Sequence, residues 1–266
     1  MEGKYPSLEG ENIIVIGAGG IGGAVVGDFL RQGSNVYALD KKPLKELEKV
    51  WDDYYGKFEK GILEVYQADV TDHEELKKTI REIGKKTKPK GIRSMIYTAG
   101  IGESIDVRDF EDGFPEKLFE LNVCGFIYAI REIAPYMKKG SSITAIGSLN
   151  ASRSEPHMAL YDSTKAALTQ FARTAAVDLG PEIRVNVVAP GYIRTPQTTE
   201  ELNNPKAKKT IVDNTILKRV GTPEDISAVV VALASDDFNY VTGSVIPVDG
   251  GLALAQYPPI EKQKNM

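Results

Sequence analysis

Tyr161 and Lys165, in the run Tyr161-Asp162-Ser163-Thr164-Lys165, place a phenol and an ammonium at positions i and i+4. They share a face if residues 160–178 form a helix. A phenol with a pKa of about 10 moves protons poorly at neutral pH, but a nearby cation favours the phenolate and makes it a usable acid/base for a carbonyl/alcohol couple. The spacing alone is common by chance, the alternative being a partly buried tyrosine beside a solvated lysine. A second group is more specific because of its setting. Gly17-Ala18-Gly19-Gly20-Ile21-Gly22-Gly23 fits G-x-G-x-x-G at Gly17, Gly19 and Gly22, between an apolar run at 13–16 and a helical run at 24–30. Glycines there permit a tight turn and bring backbone N–H groups close to a pyrophosphate at the positive end of a helix. Asp40 follows Gly22 by 18 residues, near the ~20-residue offset at which a carboxylate binds an adenosine ribose. That carboxylate repels a 2′-phosphate, so NAD is expected and NADP less so, with Lys41 and Lys42 partly offsetting the repulsion. Asp40 can also serve as a helix cap ahead of Pro43.

These groups need a frame that gathers residues 17–22, 40 and 161–165. Short β-branched runs bounded by Gly, Pro, Asp or Asn predict strands at 13–16, 36–39, 63–67, 95–97, 143–146, 184–188 and 245–248. Between them lie amphipathic stretches. Leu44, Leu47, Val50, Trp51, Tyr54 and Tyr55 lay one apolar stripe on a helix that starts near Pro43. Alternating strand and helix imply right-handed crossovers, hence a doubly wound α/β fold with a seven-stranded parallel sheet flanked by helices on both faces. No linker or repeat divides the chain, so one domain over 1–266 is expected. Residues 196–218 break the rhythm and read as an excursion or substrate lid, since loops at the carboxyl ends of parallel strands bind ligands. The charged tail, about 258–266, is expected to fray.

Composition narrows the classes. With 266 residues, 42% hydrophobic and 26% charged, the chain sits near the globular average and away from intrinsic disorder. A net charge of −4 without a basic run argues against nucleic acid as a partner. Cys124 is the only cysteine and the two histidines, His73 and His157, lie far apart, so neither a disulfide nor a metal site is expected. No run reaches the ~18 apolar residues of a membrane helix and residues 1–6 lack signal-peptide character, which makes a cytoplasmic protein away from membranes the expectation.

Over residues 13–251 the chain resembles the short-chain dehydrogenases/reductases. Ser148 stands 13 residues before Tyr161, the family's spacing for its catalytic serine, and Asn122 in Leu121-Asn122-Val123 matches the asparagine of its tetrad. Residues 186–195 resemble the segment that folds over the nicotinamide, with Pro190, Gly191, Ile193 and Thr195 on its motif. Asp69-Val70 matches the family's adenine-contacting pair. Gly221-Thr222-Pro223-Glu224-Asp225, Val241-Thr242-Gly243 and Val248-Asp249-Gly250-Gly251 resemble its C-terminal signature. Two departures stand out. The family's T-G-x-x-x-G-x-G has lost its threonine to Ile16, and the loop to Gly22 is one residue shorter. Its N-N-A-G appears as Tyr97-Thr98-Ala99-Gly100, so the hydrogen bonds of an asparagine side chain must be supplied otherwise.

The resemblance implies a Rossmann-like oxidoreductase that passes hydride between nicotinamide and a small secondary alcohol or ketone. Tyr161 would be the proton donor or acceptor, and Lys165 would bind the nicotinamide ribose and depress the tyrosine pKa. Ser148 would hold the reacting oxygen, and Asn122 would anchor a water that connects Lys165 to solvent. Gly17, Gly19, Ile21, Gly22, Asp40, Asp69, Val70, Ala99 and Gly100 would hold the cofactor, with Tyr161, Lys165, Pro190, Gly191, Ile193 and Thr195. Arg153, Glu155, His157, Met158, Gly102, Glu103 and Tyr192 would lie on the substrate side, His157 reading better as a surface residue. Leu149, Met158 and Tyr192 hint at an apolar pocket for an alicyclic or hydroxysteroid-like alcohol, with a small hydroxyacyl or a polyol still open. The family also implies a homotetramer, here through 122–137, 161–178 and 245–257, where Cys124, Phe126, Ile127 and Tyr128 would offer apolar surface. Two rivals remain: a catalytically idle NAD(H)-binding sensor or scaffold, and an S-adenosylmethionine site that leaves the Tyr-Lys pair unexplained.

Overall fold

Ile13 and Val15 pack into one hydrophobic cluster and Ile14 and Ile16 into another, as the two-residue period of a strand requires. All four are fully buried, so the strand that carries them, β1 (Asn12–Ile16), is covered on both faces. The computed structural model describes residues 5–54 and 62–254. Among these, β2 (Asn35–Asp40), β3 (Ile62–Gln67), β4 (Ile92–Tyr97), β5 (Met137–Ile146), β6 (Ile183–Pro190) and β7 (Val245–Val248) join β1 in one sheet. All neighbours are parallel, in the order β3-β2-β1-β4-β5-β6-β7.

Helices α1 (Gly20–Arg31), α2 (Leu44–Tyr54) and α9 (Pro223–Ala234) cover one face through Val26, Phe29, Leu47, Trp51, Ile226 and Val230. On the other face α3 (His73–Lys86), α5 (Gly125–Ile133) and α6 (Ala159–Leu179) contribute Ile80, Ile83, Phe126, Ile133, Leu168 and Ala172. The strand order reverses between β1 and β4, which opens a crevice beyond their carboxyl ends, where open α/β sheets place ligands. The glycine loop, residues 98–100, Ser148 and residues 191–195 all follow strands into that crevice.

Local departures from the expected pattern have local causes. β5 starts at Met137, where residue 143 was expected. Lys138, Lys139 and Gly140 hide its first turn of pairing, and a register shift opposite Ile92 is stitched by Ser141, whose Oγ donates to the Ile92 carbonyl at 2.8 Å. The 196–218 excursion holds α7 (Thr199–Asn203) and α8 (Pro205–Asn214). Asn204-Pro205 is a helix start: the Asn204 side chain accepts from Lys206 N and Ala207 N, and proline takes the first position. Buried Leu202 and Ile211 anchor both helices.

In the α2 stripe Leu47 and Trp51 are buried while Leu44 is exposed. The Tyr54 side chain, Tyr55, residues 255–257 of the expected partner segment and the tail 258–266 lie outside the described residues. Phe126, which read as either a partner contact or dense core, is fully buried in the core. Among the described residues no helix is long and apolar enough to cross a membrane.

Candidate active site

Gly17 leaves β1 with φ +91°, and a Cβ there would lie 2.5 Å from Ala99 N. A Cβ on Gly22 would lie 1.8 Å from the Gly17 carbonyl, so α1 starts directly on the loop. At Gly19 a Cβ would meet nothing within 4 Å, and this is the side open to a ligand. The loop is held by its neighbours: Gly17 N donates to Leu39 O at 2.7 Å, and Asp40 Oδ2 accepts from Ala18 N at 2.8 Å and Gly19 N at 3.2 Å. The Thr98 hydroxyl donates to the Gly17 carbonyl. Ile21 lies in the first turn of α1 and packs on the core beneath it. Beside Asp40 a cavity of about 490 Å³ is lined by Lys41, Lys42, Glu46, Gln67, Asp69 and Glu75, with Pro43. Asp69 Oδ1 accepts from the Thr71 backbone and hydroxyl, and the Val70 side chain turns into the core.

At the far side of the crevice the Ser148 hydroxyl lies beside the Tyr161 phenol and accepts from Asn150 N at 3.1 Å. Tyr161 stands in the first turn of α6, and Lys165 one turn later puts Nζ 5.7 Å from the centre of the tyrosine ring. Lys165 is 5% exposed, and its Nζ donates to Ile146 O at 3.1 Å. Burial lowers its pKa to about 8. Tyr161 moves the other way from the expected depression. Burial raises its pKa, the neighbouring Ser148 hydroxyl pulls it down by less, and the Asp162 and Glu155 charges add to the rise.

Asn122, fully buried, sits in a π-helical turn (Glu120–Cys124) between α4 (Phe114–Phe119) and α5; such turns recur at functional sites. Its Oδ1 accepts from Ile101 N, and its Nδ2 donates to Ile101 O, all at 2.9 Å, and to Thr164 Oγ1 at 3.0 Å. A Cβ on Gly100 would lie 3.0 Å from Asn122 Oδ1 and 3.4 Å from Lys165 Nζ, so these two atoms flank one point. Ala99, next to it, packs on the core. Pro190 ends β6, Gly191 N donates to Val248 O at 3.2 Å, Ile193 is buried in a bridge to Gly221, and Thr195 caps the turn that opens the excursion.

Residues 16–253 match the family model described as enoyl-(acyl carrier protein) reductase. The 3-oxoacyl-[acyl-carrier-protein] reductase FabG of Thermotoga maritima is 34% identical over 254 residues, covering 93% of this chain and 99% of its own. The chain belongs to the short-chain dehydrogenase/reductase family. The D-xylose 1-dehydrogenase of Caulobacter vibrioides is 30% identical, over 93% of this chain and 97% of its own. Among solved structures, the aldohexose dehydrogenase of Thermoplasma acidophilum matches with TM-score 0.85 at 25% identity, covering 97% and 100%. NADP-bound ElxO matches with TM-score 0.81 at 28% identity, covering 91% and 98%. As a short-chain dehydrogenase/reductase the protein is an oxidoreductase of CH–OH type substrates with a nicotinamide cofactor. The cradle at Gly17, Gly19 and Gly22 fits such a dinucleotide.

The substrate side of this short-chain dehydrogenase/reductase is more polar than Leu149, Met158 and Tyr192 suggested. The Tyr192 hydroxyl donates to Glu155, so its tip is polar even though its ring packs with Leu149, Ala189 and Leu252. Arg153 donates to Leu252 O at 2.8 Å. His157 is a surface residue, 3.5 Å from Asp106; Met158 precedes α6. Asn150 and Gln197 were not anticipated. Asn150 Nδ2 bridges Asp162 at 2.8 Å and Glu155 at 3.2 Å, and Gln197 Nε2 ties the excursion to Gly102 O at 3.1 Å. Asn150 lies two residues past Ser148, which was its one signal.

Proposed function

We propose that this protein is an NAD-linked dehydrogenase/reductase of a small secondary alcohol or ketone, with Ser148, Tyr161, Lys165 and Asn122 as its working tetrad. The observation that carries the reading is the Lys165 Nζ 5.7 Å from the centre of the Tyr161 ring, with Ser148 beside the phenol, at the crevice where the sheet order reverses. The bound dinucleotide supplies the hydride or accepts it. In reduction Tyr161 gives its phenolic proton to the carbonyl oxygen, while Ser148 hydrogen-bonds that oxygen and keeps it in reach. In oxidation the same phenol, as phenolate, takes the alcohol proton. The Lys165 charge favours that phenolate, against the burial that opposes it. Asn122, near Lys165 across Gly100, would anchor a water that links the lysine to solvent.

For the cofactor, Asp40 supports NAD: it ends β2 beside the glycine loop, the position from which a carboxylate binds an adenosine ribose in dinucleotide folds. The cavity beside it carries Glu46, Asp69 and Glu75 against Lys41 and Lys42, which further disfavours a 2′-phosphate. For the substrate, the Tyr192–Glu155 pair and the neighbouring Glu201 favour a hydroxyl-rich alcohol over the alicyclic or hydroxysteroid-like one that Leu149 and Met158 suggested. Relatives that act on D-xylose fit that choice. One domain over 1–266 and a homotetramer complete the reading; exposed Val177, Phe238 and Tyr240 support a subunit contact.

Titration with NADH and NADPH, then turnover of aldoses, polyols and cyclic alcohols with NAD+, tests all of this. Tighter NADH binding and turnover are expected. Binding without turnover of any alcohol would favour the idle sensor.

A further inference from the structure

The glycine loop of this protein lacks the usual threonine and one residue, yet two successive peptide groups in it are bonded at both ends. The Gly17–Ala18 peptide has its carbonyl held by the Thr98 hydroxyl and its N–H held by Asp40 Oδ2. The Ala18–Gly19 peptide has its carbonyl held by the indole Nε1 of Trp51, at 2.8 Å, and its N–H by the same Asp40 oxygen. Three side chains from three places in the fold, the end of β2, α2 and the exit of β4, thus fix two successive peptide planes. We infer that Trp51 and Thr98 are positioning residues of the dinucleotide site, clamping the shortened loop in the one shape that leaves Asp40 aligned with it. The inference rests on the reading of this loop as a dinucleotide cradle.

The chemistry of the clamp is specific. Trp51 is 4% exposed, and a buried indole N–H needs an acceptor just as a buried carbonyl needs a donor. Phenylalanine or leucine at this point of the stripe would fill the same core but leave Ala18 O without that donor. Thr98 does the corresponding work at the Gly17 carbonyl. A Cβ on Gly17 or Gly22 would lie 2.7 Å from Thr98 Oγ1. The hydroxyl is therefore wedged between the loop and the start of α1. Fixing the two planes before the ligand arrives removes an ordering cost from binding. Neither residue is placed at the reacting atoms, so the effect belongs to cofactor affinity and not to the chemical step.

Trp51 is also the chain's only tryptophan, so its emission reads the loop directly. ADP-ribose, which lacks nicotinamide, is the probe: it should change Trp51 emission in the wild-type protein. Trp51→Phe and Thr98→Val should each weaken NADH binding about three- to tenfold. They should leave kcat at saturating cofactor and its pH profile in place, and Thr98→Ser should restore the affinity lost in Thr98→Val. Equal NADH affinity in wild type, Trp51→Phe and Thr98→Val would overturn the clamp, as would a loss confined to kcat. Were Trp51→Phe not to fold, the Thr98→Val and Thr98→Ser pair decides alone. A wild-type protein that binds neither NADH, NADPH nor ADP-ribose would instead bring down the dinucleotide reading, and the clamp with it.

Discussion

At the carboxyl ends of β1 and β2 the loop 17–19 pairs its amides and carbonyls with Asp40, Trp51 and Thr98. At the end of β5, by contrast, Lys165 carries an ammonium into the core with the Ile146 carbonyl as its hydrogen-bond acceptor among the described residues. The first region satisfies its polar groups on folding. The second encloses a charge with no counter-charge paired to it among the described residues, and its pKa near 8 records what that costs. Beside it Tyr161 is pushed toward the protonated form by the same burial. The cradle is thus built to be rigid before its ligand arrives. The acid/base side is built against stability, as sites tuned for proton transfer often are.

The largest effect expected is on the acid/base side. Tyr161→Phe should lower kcat by about a thousandfold or more while NADH still binds, since only the proton-transferring oxygen is lost. Turnover near wild type would remove Tyr161 from its role. Lys165→Met should also abolish useful turnover, yet it should raise stability. In the unfolded chain the lysine titrates near 10.5 and in the native protein near 8, so at pH 7 the buried charge costs about 3 kcal/mol. Between those two values the unfolded state holds the extra proton, and wild-type stability rises with pH. The advantage of Lys165→Met in urea unfolding should therefore be full at pH 7 and shrink as pH passes from 8 toward 10.5. A variant less stable than wild type at pH 7 would mean that the ammonium has stabilising partners.

How far each region was legible follows from how local its interactions are. Gly17, Gly19, Gly22 and Asp40 could be read from spacing because a strand, a tight turn and a helix start must follow one another. Tyr161 and Lys165 could be read from one helical turn. Ser148 and Asn122 carry no such signal: the partners of Asn122, Ile101 and Thr164, lie 21 and 42 residues away, so order along the chain and family resemblance were the only guides. Trp51 read as one more apolar position because its indole N–H meets an acceptor 33 residues earlier. The loss of the two asparagines was visible as a gap, whereas the bond from the Thr98 hydroxyl to the Gly17 carbonyl needed the fold. The helices of the excursion hid behind Asn204-Pro205, a pair that signals a turn or a helix start equally well until the following residues are seen to pack.

On the cradle side the expected effects are smaller. Asp40→Asn keeps the shape of the side chain and removes its charge, so the two loop bonds weaken and the repulsion of a 2′-phosphate falls. The ratio of NADPH to NADH affinity should rise at least about tenfold. An unchanged ratio would assign cofactor choice to Lys41 and Lys42, and would detach Asp40 from the ribose.

The smallest effect joins the two sides of the site. Glu155 accepts from Tyr192 and Asn150, and its charge is among those that raise the Tyr161 pKa. Glu155→Gln removes that charge, so the phenolate forms more readily and the rising limb of alcohol oxidation should move to lower pH by a fraction of a unit. The amide retains one carbonyl oxygen, enough for one of the two hydrogen bonds it inherits, so the KM for a hydroxyl-rich alcohol should rise a few-fold while that for cyclic alcohols stays put. A lowered limb with both KM values unchanged would keep Glu155 as an electrostatic neighbour of Tyr161 and return the substrate to the apolar side of the pocket, near Leu149. An unmoved limb would mean that solvent screens the carboxylate from the phenol, leaving burial alone to set the pH at which Tyr161 becomes a base.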